Sequence, residues 1–215
     1  MSRPRTRQDR TPSLTERRKA ATQLDIARAA AELFADKGPD ATTAEEIADR
    51  AGVALRTFYR YFRNKQDAVG PLLSSGGDRW RALLAETAPD VGLAEALESA
   101  AVASLTTQGE AEAEALRWTR GLLRAAQNDP ALRAVWARVN HESELRLLPV
   151  LTRLAGPDAD PLEIRLVAAA ATSAIRVSLE AWAATDADSA ESPAHLVVRC
   201  LHTLTSGLPL LTPDR

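Results

Sequence analysis

Between Leu55 and Phe62 the chain reads Leu-Arg-Thr-Phe-Tyr-Arg-Tyr-Phe. On a helix, Phe58 and Phe62 stand four residues apart and turn an aromatic face inward, toward Ile47. Arg56, Thr57, Tyr59, Arg60 and Tyr61 then fall on the other faces. Guanidinium, hydroxyl and phenol groups set out in this way suit base edges and phosphate oxygens, so the chemistry is nucleic-acid recognition. Solvated charge at Arg56 and Arg60, and partial burial of Tyr59 or Tyr61, are the plainer alternatives. No nucleophile with its base and orienting group is evident, and neither is a phosphate-binding glycine loop or a metal motif. His141, His195 and His202 lack ligand-spaced partners, and Cys200 is the single cysteine. The expectation is therefore a protein that is not an enzyme and uses no metal, cofactor or disulfide framework.

A recognition helix needs a brace. Thr43-Ala44-Glu45-Glu46 has capping-box spacing and opens a short helix through Ile47 and Ala48 to Ala51, which Gly52 ends. Only Val53 and Ala54 separate it from the octet. Two short helices joined through such a glycine turn match a helix-turn-helix, in which the first holds the second in the major groove. Upstream, Ser13-Leu14-Thr15-Glu16 caps a helix expected to run to Lys37 and stop at Gly38-Pro39. Ile26, Ala30, Leu33 and Phe34 form its buried stripe. Downstream, Asn64-Lys65-Gln66-Asp67 caps a fourth helix opening at Lys65. That helix should be broken: Gly70-Pro71 predicts a kink or a short helix, and Ser74-Ser75-Gly76-Gly77 a turn. A jointed connector would couple its two ends only modestly.

The composition fits this plan. The 215 residues are 45% hydrophobic but only 4% aromatic, enough for a globular core. Alanine is abundant and alternating β-branched runs are missing, so the fold class is all-α. Net charge is −2, yet residues 1–65 hold 14 Lys/Arg against 9 Asp/Glu and the remainder 13 against 20. A basic first third on an acidic remainder suits one end facing a polyanion. A solvated basic tail is the plainer alternative, because seven of the positive charges lie in the first nineteen residues. Residues 1–12, with Arg3, Arg5, Arg7 and Arg10 among polar residues, read as a flexible basic arm. Residues 13–73 read as the DNA-binding domain and 74–215 as a second helical domain. Further breaks are expected at Ala88-Pro89-Asp90, Asn128-Asp129-Pro130, Gly156-Pro157-Asp158, Asp186 to Pro193, and Ser206-Gly207. There is no membrane-length apolar run and no signal-peptide core, which points to the cytoplasm.

Other helical hairpins share this spacing, but the residues are more specific. From Ile26 to Val69 the chain resembles the TetR family of bacterial regulators. The resemblance is carried by Ala29-Ala30, Leu33-Phe34, Gly38, Thr42-Thr43, Ile47-Ala48, Ala51-Gly52-Val53, Thr57-Phe58-Tyr59, Tyr61-Phe62 and Lys65. It implies a phosphate contact at Thr43 and contacts to bases or nearby phosphates from Leu55, Arg56, Thr57 and Tyr59. It also implies that Tyr61 and Lys65 clamp the DNA backbone, Lys65 alongside the N-terminal dipole of its helix. A phosphate would explain a lysine at a helix start, where a cation is otherwise unfavourable. The chain departs from the family at Ala54, where members usually carry Ser or Thr; the lost cap costs about 1 kcal/mol.

The resemblance further implies a repressor, homodimeric, released from a palindromic operator by a small molecule. Residues 161–184 suit the dimer helix, being apolar on two faces. Ile164, Val167, Ala168, Ala171, Ile175, Leu179 and Trp182 form one; Leu162, Leu166, Ala169, Ser173 and Val177 form the other. Residues 194–208 add Val197, Cys200, Leu201, Leu204 and Leu208. A pocket for a small apolar ligand would draw on Trp118, Trp136, Ser143, Arg146 and Arg176, although the two tryptophans also suit ordinary core. A regulator answering to a protein partner, or to no ligand, is the other reading. An enclosed apolar cavity favours the first reading, and an exposed apolar groove favours the partner.

Overall fold

The computed structural model describes residues 13–88, 90–107, 109–185 and 191–205, and among them every regular element is helical. The proposed basic arm at 1–12 and the break at Ser206-Gly207 lie outside the described residues. Helix α1 (Leu14–Lys37) begins on its capping box. There the Ser13 hydroxyl accepts from the Glu16 amide at 3.2 Å while the Glu16 carboxylate accepts from the Ser13 amide at 2.7 Å. That hydrogen bond holds the Glu16 carboxyl below its usual pKa. Helices α2 (Ala44–Arg50) and α3 (Leu55–Tyr61) come next. Then come α4 (Gly70–Glu86), α5 (Leu93–Leu105), α6 (Glu110–Ala126), α7 (Pro130–Ala155), α8 (Pro161–Ala184) and α9 (Pro193–Thr205). Pro130 and Pro161 sit in the first turns of α7 and α8, where a missing N–H costs nothing, behind Asp129 and Asp160 caps.

The apolar side chains gather into two clusters. The first joins Ile26, Leu33, Phe34, Ile47, Phe58 and Phe62 of the DNA-binding unit to Leu122, Leu132 and Val135 of α6 and α7. The second packs Trp80 and Leu84 of α4 against Leu97, Leu147, Leu151, Val167 and Val197. Helix α4 has side chains in both, so it physically links the recognition unit to the larger helical body.

Three expectations need correction. No helix opens at Lys65: Asn64 does cap, accepting from the Asp67 amide at 2.8 Å, but the chain then makes a 3-10 turn over Asp67–Val69. Helix α4 then starts at Gly70 with Pro71 in its first turn, so the change from 3-10 to α replaces a kink inside a helix. Secondly, no turn forms at Ser75 to Gly77, and α4 runs unbroken across both this segment and the proposed 73/74 domain boundary. Packing decides that. A Cβ on Gly77 would lie 3.0 Å from the Ser143 hydroxyl, so the bare backbone eases the close approach of α7. Ser74 and Ser75 meanwhile bond back to the Pro71 and Leu72 carbonyls at 3.1 and 2.7 Å. Thirdly, the chain breaks after Leu105, through Thr106 and Thr107 to Gly109, where the sequence signals no break.

Candidate DNA-binding surface and ligand cavity

The turn between α2 and α3 is built by Gly52. At φ 66° it adopts the left-handed conformation that ends a helix in a Schellman motif. The Val53 amide reaches the Ala48 carbonyl at 2.9 Å and the Gly52 amide reaches that of Asp49 at 3.1 Å. Thr43 caps α2 from its exposed N-terminus in a full capping box with Glu46. The Glu46 carboxyl is held below its usual pKa, first by the Lys37 ammonium at 2.5 Å and then by the Thr43 amide. Thr42, 1% exposed, donates to the Gly38 and Leu33 carbonyls and pins the end of α1 to the start of α2.

On this frame α3 buries Phe58 and, just past its end, Phe62, as the four-residue spacing predicts. Its outer face presents Arg56, Tyr59 and Arg60, with Arg63 beyond. Among the described residues neither Arg56 nor Arg63 has a carboxylate within ion-pair distance. Tyr59 is 53% exposed and meets Phe58 edge-on. Leu55 and Thr57 are half-buried at the flanks. Ala54 provides no side-chain cap, as expected. Tyr61 is half-buried against the first cluster, and the Arg60 guanidinium lies over its ring at 4.9 Å. These two residues share a groove with Thr15, Arg18, Lys19 and Thr22 of α1. Arg18 and Lys19 were missed because spacing within one helix says nothing about which other helix lies beside it.

Lys65 has a structural duty that its sequence position concealed. Its ammonium donates to the carbonyls of Thr42 at 2.8 Å and Asp40 at 3.3 Å, tying the loop before α2 to the turn after α3. It therefore lies beside Thr43, in a turn and not at the start of an α-helix.

A cavity of about 290 Å³ lies among α4, α5, α6, α7 and α8. Leu73, Trp80, Leu105, Leu116, Trp136, Val139, Ile175 and Leu179 supply its apolar wall. Of the expected pocket residues only Trp136 and Ser143 line it. Trp118 misses because α6 turns Ala115, Leu116 and Thr119 to the cavity, leaving Trp118 on the first cluster. Arg146 reaches the surface and pairs with Glu142 at 3.2 Å and Asp78 at 3.5 Å. Arg176 pairs with Glu180 at 3.0 Å in a separate groove between α7 and α8. Glu180 also accepts the Trp136 indole N–H at 2.7 Å. Sequence reasoning missed the polar side chains of the lining: Ser74 and Ser75, Ser104 to Thr107, Thr119, Asn140 and Thr172, with the Arg79–Glu112 ion pair.

Helix α8 is two-faced, as its sequence requires. Val167, Ala168 and Ala171 are fully buried, whereas Leu162, Leu166 and Val177 are 63, 47 and 42% exposed. On α9, Val197 and Leu201 are buried, Cys200 is half-buried and Leu204 is exposed; Leu208 lies outside the described residues. No helix among the described residues is long and apolar enough to cross a membrane.

A braced, basic recognition helix joined to a larger helical body defines a helix-turn-helix transcription regulator. Residues 26–69 match the sequence profile of the bacterial regulatory proteins, tetR family. The chain is 29% identical over 151 residues to the HTH-type transcriptional regulator TcmR of Streptomyces glaucescens, covering 69% of this chain and 67% of that one. It is 38% identical over 80 residues to the HTH-type transcriptional repressor Rv3405c of Mycobacterium tuberculosis, covering 35% of this chain and 43% of that one. Among solved structures, Salmonella enterica GusR shares the fold at TM-score 0.53 and 18% identity, over 87% of this chain and 95% of that one. FadR of Bacillus subtilis, solved with stearoyl-CoA, does so at 0.52 and 24%, over 86% and 98%. Residues 26–69 are thus a DNA-binding domain of the tetR-family type.

Proposed function

We propose that the protein is a repressor that binds an inverted-repeat operator as a twofold dimer and is released by a small ligand in the cavity. The face of α3 carries this reading: Arg56, Tyr59 and Arg60 are exposed on a helix whose opposite face is locked into the core by Phe58. A side chain on a rigid helix loses less freedom on reaching a base than one on a loop, which favours sequence readout from Arg56 and Tyr59. Thr43, Leu55, Thr57, Arg60 and Tyr61 ring that face and serve phosphates or the flanks of the base contacts. Lys65 has three N–H donors, of which two are engaged by carbonyls; the third is left for a phosphate beside Thr43. Arg18 and Lys19 extend the same contact across the groove next to Arg60 and Tyr61.

The exposed stripe of Leu162, Leu166 and Val177 supports pairing of two copies through α8 and α9. Ligand control is supported by the cavity, whose wall includes Leu73 to Gly77 of α4, the helix that continues from the DNA-binding unit. A concave, mostly apolar space between helices supports a small molecule over a protein partner as effector.

Substitutions separate the two kinds of contact. Lys19→Ala should weaken binding to every duplex alike and lower the salt slope by about one ion. Arg56→Ala or Tyr59→Ala should instead change which duplexes are preferred, at about 1–3 kcal/mol for the base pair read. Fluorescence anisotropy at several salt concentrations on a set of single-base variants checks both. Unchanged affinity in all three variants would remove α3 from the interface.

A further inference from the structure

The chemistry of the cavity narrows what can occupy it, given the reading above that it is the effector site. Two lining residues are charged, Arg79 and Glu112, and they form an ion pair with each other across α4 and α6. A ligand ion would enter a space with no uncommitted counter-charge in its wall. Leaving water without a partner costs a charged group more than a factor of ten in affinity.

Several hydroxyls of the lining are also committed, in a particular direction. Ser75 donates to the Leu72 carbonyl at 2.7 Å, Ser104 to that of Ala101 at 2.8 Å, and Thr119 to that of Ala115 at 3.0 Å. Their protons point into their own helices. Thr172 is different: it is 6% exposed, and its hydroxyl is buried without any hydrogen-bond partner. A buried hydroxyl left unpaired is unfavourable by roughly fivefold or more, so a group that satisfies it gains that factor in binding. Thr172 lines the cavity, and a helical threonine has two favoured χ1 wells between which its hydroxyl can turn.

We infer that the cavity takes a small, uncharged, largely apolar compound that offers a carbonyl or ether oxygen to the Thr172 hydroxyl. Its volume, about 290 Å³, lies at the lower end of drug-sized sites. Anionic ligands are disfavoured, including any thioester of coenzyme A such as the one bound to the Bacillus subtilis FadR neighbour.

The test uses the full chain and a neutral fluorescent ketone, 6-propionyl-2-dimethylaminonaphthalene, as probe. Its emission should shift to the blue and saturate, and Ala115→Phe, which fills the cavity from α6, should abolish the shift. In competition, 2-acetylnaphthalene should displace the probe at least about tenfold better than 2-naphthoate or 2-naphthylmethylammonium, the desolvation cost of either ion exceeding the single factor of ten. Thr172→Val keeps the shape and removes the hydroxyl. It should weaken 2-acetylnaphthalene about fivefold, the worth of one neutral hydrogen bond, and leave naphthalene itself unchanged. Equal competition by the carboxylate, or an equal loss for ketone and hydrocarbon in the valine variant, would overturn the inference while leaving the cavity as a ligand site. If no compound binds saturably, the effector-site reading fails and the inference with it.

Discussion

Replacing Leu166 by Glu is expected to leave the fold intact but to convert the protein to a monomer with little affinity for a two-half-site duplex. Leu166 is 47% exposed in the middle of the α8 stripe, so the single chain loses little packing. In a twofold interface the same residue enters from both subunits, and each copy of the variant buries a carboxylate without a partner, at several kcal/mol apiece. Two recognition helices held by one dimer bind as linked modules, so separating them should reduce operator affinity by roughly 10²-fold or more. Light scattering and anisotropy measure the two effects on one sample, with far-UV circular dichroism as the control for folding. A Leu166→Glu protein that still scatters as a dimer would move the interface away from α8.

Trp80→Ala should produce the largest loss of stability. Trp80 is 1% exposed, fills the second cluster, and points its indole N–H at the Leu97 carbonyl, 3.4 Å away. Its removal deletes the largest fully buried side chain, and truncations of this kind cost about 3–5 kcal/mol. It also opens the cavity wall that Trp80 forms, so bulkier neutral probes should enter the variant. Urea unfolding at fixed protein concentration measures the loss, the concentration mattering because a dimer gains apparent stability by mass action. Trp80→Phe should recover most of it, and a midpoint unmoved in the alanine variant would contradict the role given to Trp80 in the core.

The DNA-binding half was legible in the sequence because its signals are local. Capping boxes at Ser13 and Thr43, the glycine turn at Gly52 and the Phe58/Phe62 pair each act within four residues, and each stands where the spacing put it. The cavity was less legible. Ser74-Ser75-Gly76-Gly77 has the composition of a turn, yet it is helix, packed with Gly77 close to Ser143 of α7. The break after Leu105, with only two threonines and a glycine to mark it, went unseen. Both segments line the cavity. Local propensity failed there because long-range packing sets the backbone, and a site carved between five helices has no sequence period of its own. Arg146 and Arg176 show the converse: on one helix they look like pocket anchors, but acidic neighbours within hydrogen-bond reach hold them elsewhere.

If α3 reads a base sequence twice, once from each subunit of a dimer, the bound DNA must carry that symmetry. Selection of bound duplexes from a random pool, at fixed salt near physiological strength, puts this to the proof. The expected result is enrichment of an inverted repeat whose half-sites are separated by about one helical turn or a multiple of it, and loss of that enrichment in Arg56→Ala. A pool that stays random, with binding that depends only on salt, would contradict it.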